Sequence, residues 1–306
     1  MRHSILYLTL LFLFIGCSSS SENESAKKKS TSTEVKRADG SEGEISLYTV
    51  QGDELTLITE YNVTGNLKTL QEDKNKHKEI WALFSALIPK ERRALIKEYL
   101  IFAGEASGTA GFVTPVSRNL EKWQMGIAID YAYMNGQRQT GELVYTMIHE
   151  YGHLLTLNPS QIDPNAQHNT CPTYHIQEGC ARSNSYINNL YQNHWKDIFK
   201  EHSDAKSNNK LYDFYSKYQD RFVSQYATTN PPEDIAEVFT HFVLNRDPSG
   251  QKAKSKISML GSYSELQTLK QFIRKSLPRG KRAQFKHIQF HNKFSCGTLK
   301  RIRNVR

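Results

Sequence analysis

The residue pattern with the clearest chemical role is HEYGH at positions 149–153. On a helix, residues four apart lie one above the other, so His149 and His153 point the same way. Two imidazoles arranged like this can bind one Zn²⁺, with nitrogen–zinc distances of about 2.0–2.1 Å. Glu150 lies one step round the helix, where its carboxylate can reach a metal-bound water without being a ligand. This is the arrangement of a metalloprotease, with two ligands and a general base.

Two other interpretations compete with a zinc site. One is a chance occurrence of the pattern, and the other is an amphipathic helix whose polar face meets water. The apolar residues of this stretch cluster on the side away from the histidines, and they are Val144, Met147, Ile148, Tyr151 and Leu155. We therefore expect a helix that packs on one side and carries the His-Glu-His set on the other. Asn158-Pro159 should end it, because the residue before proline is pushed out of the helical region.

Two candidates stand out for a third ligand, which a catalytic zinc needs beside one open position. Metzincins have a histidine six residues after the second motif histidine and a glycine three after it. Here those places hold Pro159 and Thr156, which excludes that class. A glutamate from later in the chain is the other common solution, and Glu178 and Glu233 are the candidates.

Glu233 lies at the start of a predicted helix, with Asn230 as the N-cap and Pro231 at the first position. One interpretation is that Glu233 is a capping carboxylate. The other is a ligand role, because Glu233 and Glu237 lie one turn apart on one face. That spacing suits a zinc ligand followed by a carboxylate that accepts the free N–H of a ligand histidine.

The stretch YATTNPPEDIAEVF at 226–239, following HEYGH, resembles the zinc peptidase family of anthrax lethal factor's protease domain and the smaller bacterial Pro-Pro endopeptidases. The resemblance implies a zincin-like fold and one Zn²⁺ bound by His149, His153 and Glu233. It also implies that Glu150 is the base and that Tyr226 stabilises the tetrahedral intermediate. A tyrosine of the hydrophobic core is the alternative for Tyr226.

The first 44 residues are predicted to target and tether the protein. The apolar run at 5–15 is too short to span a bilayer but suits a signal peptide over residues 1–16. FIGC followed by four serines is similar to a bacterial lipobox, whose cysteine, here Cys17, becomes lipidated. A cleaved secretory signal is the alternative. Residues 17–44 are polar enough for a disordered tether, so we expect an exported protein anchored by lipid to the outer face of the bacterial cell membrane.

The remaining residues, 45–306, are long enough for one large domain. Strand patterns lie at 45–50, 55–58, 111–116 and 123–133, and helix patterns, besides the zinc helix, at 76–87, 90–103, 183–201, 211–227, 230–244 and 263–277. This order predicts an α+β fold with a small sheet in an N-terminal lobe (45–158) and a mainly helical C-terminal lobe (159–306). The strand just before the zinc helix should either offer a free edge to a peptide or lie inside the sheet.

In an exported protein the three cysteines after Cys17 can form a disulfide, and the net positive charge has a definite location in the chain. A Cys171–Cys180 disulfide would close a ten-residue ring, worth about 2.5–3 kcal/mol on the loop-entropy model. A second metal site of Cys171, His175 and Cys180 is the alternative, and Cys296 would be left over. Residues 279–306 carry nine Lys/Arg and no Asp/Glu, which accounts for the net charge of +9. This tail either contacts anionic envelope polymers or is simply solvated; nucleic acid is not an expected partner.

These features together predict a zinc-dependent endopeptidase of the gluzincin type that cleaves proteins or peptides at the cell surface. The spacer between His153 and Glu233 is longer than in the resembling families, so their substrates are not transferred to this chain. Two alternatives remain. A peptidoglycan stem-peptide hydrolase would use the same zinc, whereas a zinc-containing surface adhesion module would not need Glu150 or Tyr226.

Overall fold

The described residues of the structure, a computed structural model, are 35–40, 43–278 and 285. The predicted signal peptide at 1–16, the predicted lipidation site Cys17 and the remaining cysteine Cys296 lie outside the described residues. The basic tail at 279–306 also lies outside them, except for Phe285.

Eleven strands of the described chain form three sheets. Their bounds are β1 Lys36–Ala38, β2 Glu44–Gln51, β3 Glu54–Tyr61, β4 Ile96–Phe102, β5 Gly111–Pro115, β6 Trp123–Ala128, β7 Tyr133–Met134, β8 Gln137–Arg138, β9 Ile162–Asp163, β10 His175–Ile176 and β11 Gly179–Ala181. The largest sheet has the order β1-β3-β2-β4-β6-β5, the second is β10-β11-β9, and the third is the β7-β8 hairpin. In the largest sheet β4 is parallel to β6, whereas β5 is antiparallel to β6 and forms one edge.

Ten α-helices of the described chain accompany these sheets. Their bounds are α1 Gly65–Glu72, α2 Lys74–Leu87, α3 Ile129–Ala132, α4 Thr140–Leu157, α5 Tyr186–His194, α6 Phe199–Ser207, α7 Leu211–Lys217, α8 Pro231–Leu244, α9 Gln251–Gly261 and α10 Ser264–Ser276. The α+β class is confirmed. Within the described ranges, no helix combines the length and the apolar character that crossing a bilayer requires.

One predicted helix, at 90–103, is instead a short 3₁₀ turn followed by β4 at the centre of the sheet. The side chains of β4 alternate between two apolar clusters. Tyr99 and Ile101 pack on the side of α2 and α4, while Leu100 and Phe102 pack on the opposite side. A strand buried on both faces has a continuous apolar run, so periodicity does not separate it from a buried helix.

The predicted tether at 17–44 extends too far along the chain. Lys36–Ala38 forms β1, which pairs in parallel with β3, and Glu44 is buried at the start of β2. The Asn62 N–H donates to the Ala38 oxygen at 2.8 Å where β1 ends. Such pairing uses backbone groups, so a polar sequence can form it and composition does not reveal it.

The strand predicted just before the zinc helix is internal. β6 lies between β4 and β5, and all of its residues are buried. The chain then passes through α3 and the β7-β8 hairpin to α4. The edge nearest to α4 therefore belongs to β5, where a Cβ atom on Gly111 would lie only 2.6 Å from Thr146 Cγ2.

The segment between α4 and α5 is an ordered insertion held by a disulfide. It contains the small β10-β11-β9 sheet, in which β11 pairs with both neighbours. Cys171 and Cys180 are bonded, with their Cα atoms 5.5 Å apart. Because this bond uses both thiols, the alternative metal site of Cys171, His175 and Cys180 is not formed.

Candidate metal centre

The HEYGH motif lies in α4, which is buried on every side rather than on one. All residues from 143 to 157 are buried, because the sheet covers one face and α8 the other. The helix ends at Asn158 as predicted. The side-chain amide of Asn158 donates to the carbonyls of Leu154 at 3.0 Å and Leu155 at 2.9 Å, two groups that have no partner within the helix.

Gly152, inside the motif, lets α8 approach the histidine face of α4. A Cβ atom on this glycine would lie 3.1 Å from Ala236 Cα and 3.4 Å from Phe239 Cδ1. A larger side chain would push the two helices apart, since buried surfaces have no free volume to absorb it. The close approach sets the first turn of α8 opposite His149 and His153.

The start of α8 aims Glu233 at the histidines. The Asn230 side chain accepts the Glu233 N–H at 2.9 Å, with proline at the first helical positions, as the sequence predicts. The N-cap interaction therefore uses the backbone of Glu233. Its carboxylate lies against the two imidazoles, in the ligand position rather than the capping position.

The three predicted ligands converge in the structure. His149 Nε2 lies 3.1 Å from His153 Nε2 and 3.1 Å from Glu233 Oε2. His153 Nε2 lies 3.2 Å from the same glutamate oxygen. The three buried side chains form a candidate metal site.

The donor set fits a zinc ion. Donor atoms at about 2.0–2.1 Å around a tetrahedral ion lie about 3.3–3.4 Å from one another, close to the three separations here. When both imidazoles are neutral, two lone pairs and a carboxylate oxygen face each other, and a cation removes their repulsion. Two histidines and one carboxylate are also ligand types that zinc commonly takes.

Glu237, one turn after Glu233, orients His149. Its carboxylate accepts the His149 Nδ1–H at 2.9 Å, which leaves the Nε2 lone pair for a metal. The Tyr145 hydroxyl donates to the two Glu237 oxygens at 2.9 and 3.0 Å, and the Ser224 hydroxyl donates at 2.5 Å. The sequence predicts the role of Glu237, but nothing in it marks Tyr145 or Ser224.

The electrostatics of the candidate site centre on His149. Burial opposes its charged form, but hydrogen bonds to Glu233 and Glu237 outweigh burial and raise the pKa of His149 to about 10. Burial also opposes ionisation of Glu233, but the imidazoles of His153 and His149 outweigh it and hold the pKa of Glu233 at about 2. The two carboxylates thus favour the charged form of His149, and a metal ion would compete with its proton for the same nitrogen.

Glu150 and Tyr226 lie beside this donor set. Glu150 is buried between α4 and β5, where a Cβ atom on Gly111 would lie 3.4 Å from Glu150 Cγ. Tyr226 begins the 3₁₀ turn Tyr226–Thr228, and its ring centroid lies 5.9 Å from that of His149. The Tyr226 side chain is half-buried, which differs from the core tyrosine of the alternative interpretation.

Glu178, the other candidate ligand, lies in the turn of the β10-β11 hairpin. It is near enough to His153 and Glu233 to feel their charges, and burial raises the pKa of its carboxyl group. The converging donor set, however, contains Glu233 and not Glu178.

Two helices thus supply the whole donor set, with the histidines on α4 and the glutamate on α8. The arrangement can bind one divalent ion beside a buried carboxylate, Glu150. The chain matches no family model, no curated protein and no solved structure.

Proposed function

We propose that the protein is a zinc-dependent endopeptidase with a zincin-like fold, similar to the family of lethal factor and the Pro-Pro endopeptidases. The convergence of His149, His153 and Glu233, with Glu150 on the same turn of α4, carries this proposal. His149 and Glu233 are 84 positions apart in the chain, so the fold and not one local motif brings them together. A general base beside a three-ligand site is the minimum that metal-assisted amide hydrolysis requires.

In this proposal Glu150, Tyr226 and Glu237 have separate roles in amide hydrolysis. A bound zinc ion supplies Lewis acidity and lowers the pKa of a coordinated water towards ~7. Glu150 takes the proton from the attacking water and passes it to the leaving amine. The Tyr226 hydroxyl donates to the oxyanion that develops on the scissile carbonyl. Glu237 keeps the proton of His149 on Nδ1 so that Nε2 remains a ligand.

The outer edge of β5 suits an extended peptide substrate. The Ala128 N–H donates to the Ala110 oxygen at 3.0 Å, so alternate residues of this segment direct their backbone groups towards β6. Gly111 and Val113 direct theirs to the other side, where no other described strand pairs. A peptide that pairs there runs past Glu150 and binds through its main chain, which tolerates many side chains.

A peptide library tests this function. The zinc-loaded protein should cleave a subset of its peptides, detected by mass spectrometry, whereas Glu150→Ala should keep zinc and lose cleavage by about 10²–10⁴-fold or more. Purified cell wall, digested in parallel, identifies a stem-peptide hydrolase if wall is cleaved and peptides are not. Binding without cleavage of either substrate, with Glu150→Ala equal to the natural protein, would support the adhesion module instead.

We further propose that this peptidase acts outside the cell on a lipid anchor at Cys17, with the basic tail against anionic envelope polymers. The lipobox-like FIGC supports the first point and the charge of residues 279–306 the second. Mass spectrometry of the membrane fraction tests the anchor. An unmodified N-terminus downstream of Cys17 on most molecules would leave a freely secreted peptidase.

A further inference from the structure

Ser224 joins two parts of the site through one oxygen atom. It lies just before the turn Tyr226–Thr228, and its side chain is half-buried. Its hydroxyl donates to Glu237 Oε2 at 2.5 Å and accepts the Ala227 N–H at 3.1 Å. Because a hydroxyl has one proton, that proton is committed to the carboxylate and a lone pair to the turn.

The carboxylate end of this link is held by α4. Glu237 also accepts hydrogen bonds from His149 Nδ1 and from the Tyr145 hydroxyl, and both donors lie on α4. A hydrogen bond from a hydroxyl to an ionised carboxylate is shorter and stronger than one between neutral groups. One hydrogen bond from His149 Nδ1 to Glu237 Oε1 and one from the Ser224 hydroxyl to Glu237 Oε2 therefore connect the ring of His149 to the Ser224 oxygen.

The other end of the link is the turn that carries Tyr226. The first N–H groups of a helical turn have no partner inside it, and Ser224 supplies one from three residues before Ala227. The Tyr226 ring, 5.9 Å between centroids from that of His149, projects from the same turn. A shift of this backbone shifts the phenol relative to the metal ligands.

We propose that Ser224 is a positioning residue that couples the metal ligand His149 to the placement of Tyr226. The role of Tyr226 in this proposal rests on the proposed function. The coupling between His149 and the turn does not, because it is a property of the candidate metal site. A serine that only caps the turn would also accept the Ala227 N–H. Its effect on the turn would then not depend on whether a metal is bound.

Hydrogen exchange at the Ala227 amide, followed by NMR in the full-length protein with and without zinc, separates these roles. Zinc fixes His149 and hence Glu237, so loading should slow exchange about tenfold, the effect of one hydrogen bond of typical net strength. In Ser224→Ala exchange should be faster and zinc should change it by at most about twofold, whereas Ser224→Thr keeps the hydroxyl and the tenfold response.

A matched control is Ser216→Ala, which removes a hydroxyl that donates to the Tyr212 oxygen within α7. This variant should respond to zinc like the natural protein. A zinc response that persists in Ser224→Ala, or no response in the natural protein, overturns the coupling.

Peptide cleavage gives a second, independent readout. Ser224→Ala should lower kcat about tenfold in the natural protein, part of the ~10²–10³ that an oxyanion donor provides. In a Tyr226→Phe background the same change should cost at most about twofold, because coupled residues are not additive. Equal losses in both backgrounds overturn the proposal. If the natural protein cleaves no peptide, the proposed function fails, and the exchange measurement still decides whether Ser224 couples His149 to the turn.

Discussion

Two adjacent carboxylates in the first turn of α8, Glu233 and Asp234, meet opposite surroundings. Both are buried, with 2% and 0% of their surface exposed. Glu233 faces the imidazoles of His149 and His153. Asp234 faces Lys256, whose Nζ lies 2.5 Å from Oδ2, and the indole N–H of Trp195 at 2.6 Å. A buried carboxylate needs a compensating charge. Asp234 receives it from Lys256, whereas Glu233 depends on the two histidines of the candidate metal site.

Asp234 belongs to a buried ion pair that has a structural role. Lys256 is fully buried and its ammonium lies 4.4 Å from the centroid of the Phe222 ring. Burial raises the pKa of Asp234 and lowers that of Lys256, so desolvation works against the charged pair on both partners. The pair links α8 to α9, and Trp195 adds the end of α5. It supports the turn that presents Glu233 and lies outside the candidate donor set.

The largest expected effect is a difference in zinc content between a variant of Glu233 and a variant of Asp234. Glu233→Gln should lose stoichiometric zinc, with an affinity loss beyond the ~10–100-fold caused by removal of an outer partner. Asp234→Asn should keep one zinc per chain, because its side chain does not face the ion. Zinc is measured by elemental analysis after dialysis and by chelator competition. Equal loss of zinc in the two variants would refute the assignment of metal binding to Glu233 and of a structural role to Asp234.

The second prediction breaks the ion pair. Lys256→Met should destabilise the protein by about 3–5 kcal/mol in urea unfolding, because Asp234 is left as an uncompensated buried anion. Adding Asp234→Asn should recover part of this loss. The control is Lys254→Met, since Lys254 pairs with Asp247 at the surface and such pairs contribute about 0–1 kcal/mol. Similar losses in the two single variants would mean that the buried pair has no special weight.

The residues around Glu233 can be recognised in the sequence. His149, His153 and Glu150 follow from a spacing that has one meaning on a helix, and Glu233 and Glu237 follow from a helix start with a second carboxylate one turn later. Both stretches carry residue types that are costly to bury without a function. The convergence of these residues was therefore predictable from the sequence.

The buried ion pair and several other contacts were not predictable from the sequence, for physical reasons. Lys256 lies in a stretch with three lysines, QKAKSK, which is typical of a solvated helix, and nothing local shows that this one is buried. The strand β4 resembles a helix because it is buried on both faces. Ser224 and Tyr145 act through single hydroxyls that meet Glu237 only after folding.

The third prediction tests the carboxylate that orients a ligand. Glu237→Gln should weaken zinc binding by about 10–100-fold, since the ligand histidine loses the partner that fixes its tautomer and ring orientation. The matched control is Glu265→Gln, because Glu265 also accepts a tyrosine hydroxyl, that of Tyr186 at 2.7 Å, but outside the site. Chelator competition measures both. Unchanged affinity in Glu237→Gln would place this residue with Asp234 as a structural carboxylate.

The last prediction is that zinc affinity depends on pH through His149 and not through the Asp234–Lys256 ion pair. Glu233 and Glu237 raise the pKa of His149 to about 10, so zinc that binds at neutral pH should displace its proton. Affinity should therefore rise with pH, by about tenfold per unit below pH 10 for one released proton. Chelator competition between pH 6.5 and 8.5, with calorimetry in two buffers to count protons, measures the slope.

Glu237→Gln removes one of the carboxylates that raise this pKa, so its slope should flatten towards the upper end of that range. The double variant Lys256→Met with Asp234→Asn should keep the slope of the natural protein, because that pair exchanges no proton with the metal. An affinity independent of pH in the natural protein would mean that His149 is already neutral before zinc binds.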